Sequence, residues 1–162
     1  MPVALIPGTY DPITLGHLDV IERSAQIFRY IYVGVAASAK KGGGPLFSLA
    51  ERLKFATLAV AHLNNVEVVS FTGLLVDFAS AINADAIVKG LRAVTDFESE
   101  FQQASLNYHL KPDLETVFIM ATPQHMYLSS SMVKEIASLG GDISGWVTEP
   151  VQEALRKKLR PS

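Results

Sequence analysis

Apolar positions along the chain fall into two alternating patterns. Short runs rich in β-branched or aromatic residues predict five buried strands: Val3–Ile6, Tyr30–Val35, Val66–Phe71, Ala86–Val88 and Thr116–Met120. Between them apolar residues recur every three or four positions, which predicts helices over Gly16–Phe28, Ser48–His62, Leu74–Asn83 and Ala93–Leu110. Two more helices, Ser130–Leu139 and Pro150–Leu159, follow the last strand. The alternation predicts an α/β fold over residues 1–162: a single-domain, Rossmann-like, doubly wound parallel five-stranded sheet with helices on both faces and C-terminal helices.

The segment between the first strand and the first helix has the residue types of a phosphate site. It reads Gly8-Thr-Tyr-Asp-Pro-Ile-Thr-Leu-Gly-His17. Thr14 can cap the helix, which would place Gly16 and His17 in its first turn. Unpaired N–H groups and the positive end of the helix dipole attract anions there, and glycines let the backbone approach a ligand closely. The segment therefore predicts a phosphate cradle that includes a histidine.

Composition narrows the possible partners. The 162 residues are 49% hydrophobic and 19% charged, with a formal net charge of −2, so bulk charge gives no reason to expect a nucleic-acid partner. Without cysteine, the chain has neither disulfides nor thiolate chemistry. Apolar runs are too short to span a membrane, and the first residues lack the basic start of a signal peptide. We expect a cytoplasmic protein with no membrane partner.

The predicted topology gathers distant segments at one edge of the sheet. Ligands of such sheets bind outside the carboxyl ends of the strands, where the strand order reverses. The segments that follow the five strands are Pro7–His17, Ala36–Phe47, Thr72–Leu75, Lys89–Asp96 and Ala121–Ser131. We expect all five to face one crevice.

Motifs within these segments match a known family. Thr14-Leu-Gly-His17 and Leu128-Ser-Ser-Ser-Met-Val-Lys134 resemble the paired signature of the nucleotidyltransferase superfamily. Pro7-Gly-Thr-Tyr-Asp-Pro-Ile-Thr14, Lys89-Gly-Leu-Arg92 and Asp96-Phe-Glu-Ser-Glu100 resemble the bacterial phosphopantetheine adenylyltransferases in particular. The resemblance covers essentially the whole chain. It implies transfer of the adenylyl group of ATP to 4′-phosphopantetheine, giving dephospho-coenzyme A and pyrophosphate. It also implies Mg²⁺ bound with ATP, coenzyme A as a candidate inhibitor, and a homohexamer built as a dimer of trimers.

The implied reaction is a direct in-line attack of a phosphate oxygen on the α-phosphorus, without a covalent enzyme intermediate. A phosphate nucleophile is largely deprotonated near neutral pH, so positioning and charge stabilisation are needed more than a general base. The resemblance implies His17 and Lys41 as the catalytic residues. Alignment forward from Ala36-Ala-Ser38 selects Lys41, whereas counting backward from Phe47 does not, so Lys40 stays the alternative.

The remaining site residues also come from the resemblance. Lys89 stands where the family usually has arginine, and lysine lacks the planar two-pronged geometry of a guanidinium. Serine hydroxyls and helix-start N–H groups of the late motif can hold a triphosphate. No residue is expected to bind metal. The implied acceptor contacts are Thr9, Lys41, Leu75 and Lys89, and the implied ATP contacts are Thr9, Tyr10, His17, Gly90, Leu91, Arg92, Glu100, His125, Met126, Tyr127, Leu128, Ser129, Ser130 and Ser131.

Two other functions stay open at this stage. One is a sister nucleotidyltransferase that uses another nucleotide or another phosphorylated acceptor. The other is a module that senses ATP or coenzyme A without turnover, although such a module would not need transition-state donors such as His17 and Lys41.

Overall fold

A parallel five-stranded sheet forms the centre of the molecule. The computed structural model describes residues 1–37 and 43–159, with the backbone alone for residues 94–96. The strands lie in the order β3-β2-β1-β4-β5 and all of their pairings are parallel. They are β1 Val3–Gly8, β2 Tyr30–Ala36, β3 Val66–Phe71, β4 Ala86–Leu91 and β5 Glu115–Met120. The helices are α1 Leu15–Ile27, α2 Leu49–Ala59, α3 Leu75–Ala81, α4 Val94–Leu110, α5 Ser130–Ser138 and α6 Glu149–Leu159, and a short 3-10 helix spans Pro123–His125.

The predicted fold class is confirmed, and the differences lie at the ends of elements. Strand β1 continues through Pro7 and Gly8, which pair with Gly34 and Val35 of β2. Strand β4 likewise continues through Leu91, which pairs with Met120 of β5. Parallel pairing therefore carries both strands beyond the point where glycine and proline indicated a loop.

Alternation along the strands divides the core between the two faces of the sheet. Ala4 and Ile6 belong to the larger apolar cluster, to which α1, α2, α5 and α6 contribute. Leu5, which points the opposite way, packs with Ile87 of β4 in a smaller cluster that includes Val76 of α3. Helices therefore cover both faces, as the doubly wound topology requires.

Candidate active site

The sheet opens between β1 and β4. These two strands pair only at Ala4 with Ala86 and Leu5 with Ile87, and then diverge. They are also the strands at which the chain switches from one half of the sheet to the other, which is where ligands of such sheets bind. A cavity of about 170 Å³ lies at this opening. Most of its lining comes from three of the five segments expected to converge, those that follow β1, β4 and β5, and the rest includes Val20 of α1 and Glu100 of α4.

Eight of the implied site residues line this cavity. The others among the described residues, Thr9, Leu75, Leu91, Met126, Tyr127 and the three serines, lie outside its described lining. Leu75 packs beside the smaller apolar cluster instead. Lys40 and Lys41 fall outside the described residues. The eight residues in the lining are Tyr10, His17, Lys89, Gly90, Arg92, Glu100, His125 and Leu128.

The first turn of α1 holds the His17 ring. Thr14 caps the helix as expected, since its Oγ1 accepts a hydrogen bond from the His17 N–H at 3.3 Å. In return, the Thr14 N–H donates to Nδ1 of His17 at 3.0 Å. A backbone N–H can only donate, so Nδ1 acts as an acceptor. A neutral His17 ring therefore has its proton on Nε2.

The surroundings of His17 keep the ring neutral. Burial, together with the positive charges of Arg92 and Lys89, lowers its pKa from 6.5 to about 4. At neutral pH the side chain is consequently a hydrogen-bond donor with no net charge. It can donate to an anionic oxygen without giving up its proton.

Tyr10 supports the His17 ring from the side. Its ring meets that of His17 edge-on, with centroids 5.0 Å apart, and its hydroxyl donates to the Ile6 carbonyl at 3.0 Å. Burial raises the pKa of Tyr10 well above its usual range, so the hydroxyl stays protonated. A Cβ at Gly8 would lie 2.9 Å from the Tyr10 ring, which explains the glycine there. Gly8 thus makes room for a protein side chain.

Two cations and one carboxylate extend the site across β4. The Lys89 ammonium lies 3.3 Å from Oε2 of Glu100, an oxygen that is buried and has no hydrogen-bond partner in the part of the chain that the structure describes. Arg92 donates from Nη1 to the Leu128 carbonyl at 2.9 Å. A Cβ at Gly90 would lie 3.0 Å from Val20 of α1, so this glycine permits close helix packing. Lys89 and Glu100 therefore form an ion pair within the lining of the cavity.

The segment after β5 has several structural roles. Ser129 caps α5 by accepting from the Met132 N–H at 3.1 Å, and Ser130 donates to the Pro12 carbonyl at 2.8 Å. Tyr127 is 80% exposed. His125 lines the cavity, and its Nδ1 lies 3.0 Å from the Thr122 hydroxyl. One serine thus caps α5, and a second links it to the loop that follows β1.

Asp11 is a buried carboxylate that sequence reasoning did not single out. It is 5% exposed and accepts from the N–H groups of Leu46 at 2.8 Å and Phe47 at 2.9 Å. Lys134 donates to it at 2.9 Å. Burial alone would raise the pKa of Asp11, but Lys134 and the two N–H groups outweigh it and hold that pKa below 3.8. The lysine of the late motif therefore binds the loop that follows β1.

Arg52 of α2 is the second buried charge that was missed. It is 1% exposed and donates to three backbone carbonyls. The sequence does contain a signal for it. At helical spacing Arg52 shares a face with Leu49, Leu53 and Ala56, which is the face turned to the core.

Comparison with known proteins agrees with this fold and identifies a family. The strand order and a crevice at the switch point are those of Rossmann-like nucleotide-binding proteins. The model of the cytidylyltransferase-like family matches residues 5–136, so the chain belongs to the cytidylyltransferase-like family. A solved structure from Vibrio parahaemolyticus, provisionally assigned as a nicotinate-nucleotide adenylyltransferase, is similar in fold at a TM-score of 0.69. The match has 15% sequence identity and covers 95% of this chain and 97% of that one.

These findings define the class of protein without selecting an acceptor. The family is one of nucleotidyltransferases and the fold is Rossmann-like, and neither is specific to phosphopantetheine. Among the helices that the structure describes, none is both long enough and apolar enough to cross a membrane.

Proposed function

We propose that this protein transfers the adenylyl group of ATP to 4′-phosphopantetheine, giving dephospho-coenzyme A and pyrophosphate. One observation carries the proposal: the fold holds His17 as a neutral ring that accepts at Nδ1 and lines the switch-point cavity. Such a ring is a preorganised donor for charge that develops on an α-phosphoryl oxygen. The acceptor follows from the sequence resemblance at Lys89–Arg92 and Asp96–Glu100.

The proposed reaction is a direct in-line displacement. An oxygen of the acceptor phosphate forms a bond to the α-phosphorus, the bond from that phosphorus to the bridging oxygen breaks, and pyrophosphate leaves. His17 donates from Nε2 to an α-phosphoryl oxygen. Lys89 and Arg92 provide positive charge for the two phosphorylated substrates, and Thr9 and Lys41 contact the attacking phosphate.

Magnesium enters this proposal with the nucleotide. Within the described residues, no group of three or more His, Asp or Glu side chains is arranged to hold a metal ion. The nearby carboxylate of Asp11 already binds Lys134, and that of Glu100 lies against Lys89. A site formed by carboxylates of the chain does not fit these residues, so phosphate oxygens of ATP would hold the ion and help neutralise the leaving group.

A pyrophosphate-release assay tests the proposal. The purified chain would be given ATP or CTP with 4′-phosphopantetheine, dephosphorylated pantetheine or nicotinate mononucleotide, and the products identified by mass spectrometry. We expect turnover only with ATP and 4′-phosphopantetheine, and a large loss in His17→Ala. Turnover with another pair would instead identify a sister transferase, and ATP binding without turnover would indicate a sensor.

We also propose a cytoplasmic homohexamer, a dimer of trimers, that coenzyme A inhibits. Helix α4 supports self-association, because Phe97, Phe101 and Tyr108, which share one face at helical spacing, are between 46% and 59% exposed. Contiguous exposed apolar surface of this kind is typical of interaction sites. Light scattering would show about six times the 17.6 kDa chain mass, and a monomer would contradict the assembly.

A further inference from the structure

Burial of the Arg52 guanidinium in the protein core has a high cost in desolvation free energy. The Arg52 side chain is 1% exposed, and a charge removed from water is tolerated only where polar groups compensate for the lost hydration. No carboxylate pairs with Arg52 among the ion pairs of residues 1–37 and 43–159. The compensation comes from backbone carbonyl groups.

Three segments supply these carbonyls. Nη1 of Arg52 donates to the carbonyl of Thr9 at 2.9 Å and to that of Ala36 at 2.8 Å. Its Nε donates to the Phe47 carbonyl at 3.2 Å. The first carbonyl follows β1, the second ends β2, and the third precedes α2.

The guanidinium lies where the pairing of β1 with β2 stops. The last pair of that ladder is Gly8 with Val35, and the carbonyls of the next two residues both accept from Nη1. Arg52 thus continues the link between the two strands past their last pairing. On its other edge, β1 separates from β4 to form the cavity.

We propose that Arg52 is a positioning residue that fixes the backbone at Thr9 and, through it, the contact to the acceptor phosphate. This inference rests on the proposed function for its kinetic consequence. Arg52 is buried, whereas the Thr9 side chain is exposed at the carboxyl end of β1. Arg52 therefore acts on the acceptor through the Thr9 backbone without touching it.

The pattern of donors suggests a graded series of variants. The carbonyls of Thr9 and Ala36 accept from the same nitrogen of Arg52. The ammonium group in Arg52→Lys can therefore replace some of these hydrogen bonds. The shorter, uncharged amide in Arg52→Gln replaces fewer of them. Lys54→Met is the matched control, because it removes a positive charge from an exposed position on the same helix.

Steady-state kinetics and amide hydrogen exchange would be measured on all three variants. We expect Arg52→Gln to raise the acceptor KM about tenfold while the ATP KM changes less than about twofold, with Arg52→Lys in between and Lys54→Met unchanged. Exchange at Thr9 and Tyr10 should quicken in the same order. Equal rises in both KM values, or reduced thermal stability with unchanged kinetics, would overturn the proposal.

The exchange measurement separates this inference from the proposed function. If the wild-type chain shows no turnover, the proposed function fails, but the effect of Arg52 on the Thr9 backbone is still measurable. Exchange at Thr9 and Tyr10 that matches Lys54→Met in both Arg52 variants would overturn the positioning role by itself.

Discussion

The backbone N–H of Thr14 donates to Nδ1 of His17 across 3.0 Å, within the turn that begins α1. The contacts that cap helix α1 therefore also fix the tautomer of the candidate catalytic ring. The capping hydroxyl of Thr14 accepts from the backbone of the same histidine, so both residues are fixed together. A ring held in this way needs little reorganisation before it donates to a ligand.

Replacing His17 should slow the chemical step. We expect His17→Ala to lower kcat on the order of 10²-fold, with much smaller changes in either KM, because the donor acts mainly in the transition state. His17→Gln places an amide nitrogen near the position of Nε2 and should retain more activity than His17→Asn. A His17→Ala enzyme with near-normal kcat in the pyrophosphate assay would remove this residue from the mechanism.

The lowered pKa of His17 predicts a definite pH dependence. With a folded pKa of about 4 against the ordinary 6.5, the unfolded chain binds the proton more readily between these values. The free energy of unfolding should therefore fall as pH falls from 6.5 toward 4, and fall less in His17→Gln. Asp11, whose pKa is lowered, loses its contribution at still lower pH. Imidazole ¹⁵N shifts would show a neutral ring with its proton on Nε2 at pH 6, and a midpoint near 6.5 would contradict this.

Gly8 should tolerate no larger residue without a loss of activity. An added Cβ would meet the Tyr10 ring at 2.9 Å and displace it from the edge of His17. We expect Gly8→Ala to lower kcat roughly tenfold, because small displacements of a catalytic group are costly. Gly145→Ala is the control, since a Cβ there meets nothing within 4 Å. Equal kcat values for the two variants would show that the Tyr10 contact does not matter.

The ion pair of Lys89 and Glu100 should compete with the acceptor. Glu100→Gln removes the charge that lies 3.3 Å from the Lys89 ammonium, so we expect the acceptor KM to fall about threefold and the ATP KM to rise. Lys89→Arg keeps the charge and should preserve activity or tighten acceptor binding. Glu98→Gln, at an exposed position on the same helix, provides the control. A higher acceptor KM in Glu100→Gln would show that the carboxylate helps to bind that substrate.

Asp11 should contribute more to stability than its partner Lys134. Asp11→Asn weakens two bonds from backbone N–H groups and removes the counter-charge of a lysine, which should cost roughly 2–3 kcal/mol. Lys134→Met leaves both N–H bonds in place and should cost about 1 kcal/mol. Urea unfolding of the two variants would measure the difference, and a larger loss in Lys134→Met would contradict this assignment.

Local patterns in the sequence were enough to predict the fold. The strand β3 falls on its predicted residues, and Thr14 caps α1 as expected. Local sequence patterns did not predict the strand ends that depend on pairing with a neighbouring strand. Pro7 and Gly8 indicate a loop by themselves, but they are held in β1 by pairing with β2.

The candidate site was predictable only in part, for a related reason. His17 and Thr14 are three residues apart, so the spacing of their motif alone predicts that they lie close together at the start of a helix. Lys134 and Asp11 are separated by 123 positions, and Arg52 and Thr9 by 43. No short-range pattern indicates which of many charged residues will meet after folding. Their roles emerge only once the sheet brings the segments together.

Strands β1 and β4 pair over only two residues, and this short pairing affects how the substrate specificity of such a protein can change during evolution. The opening begins where the main chains of the two strands diverge after two residue pairs. New recognition can therefore be acquired by exchanging rim residues such as Lys89, while the scaffold beneath keeps its shape. An architecture of this kind allows the acceptor to change while the nucleotidyltransferase fold is kept.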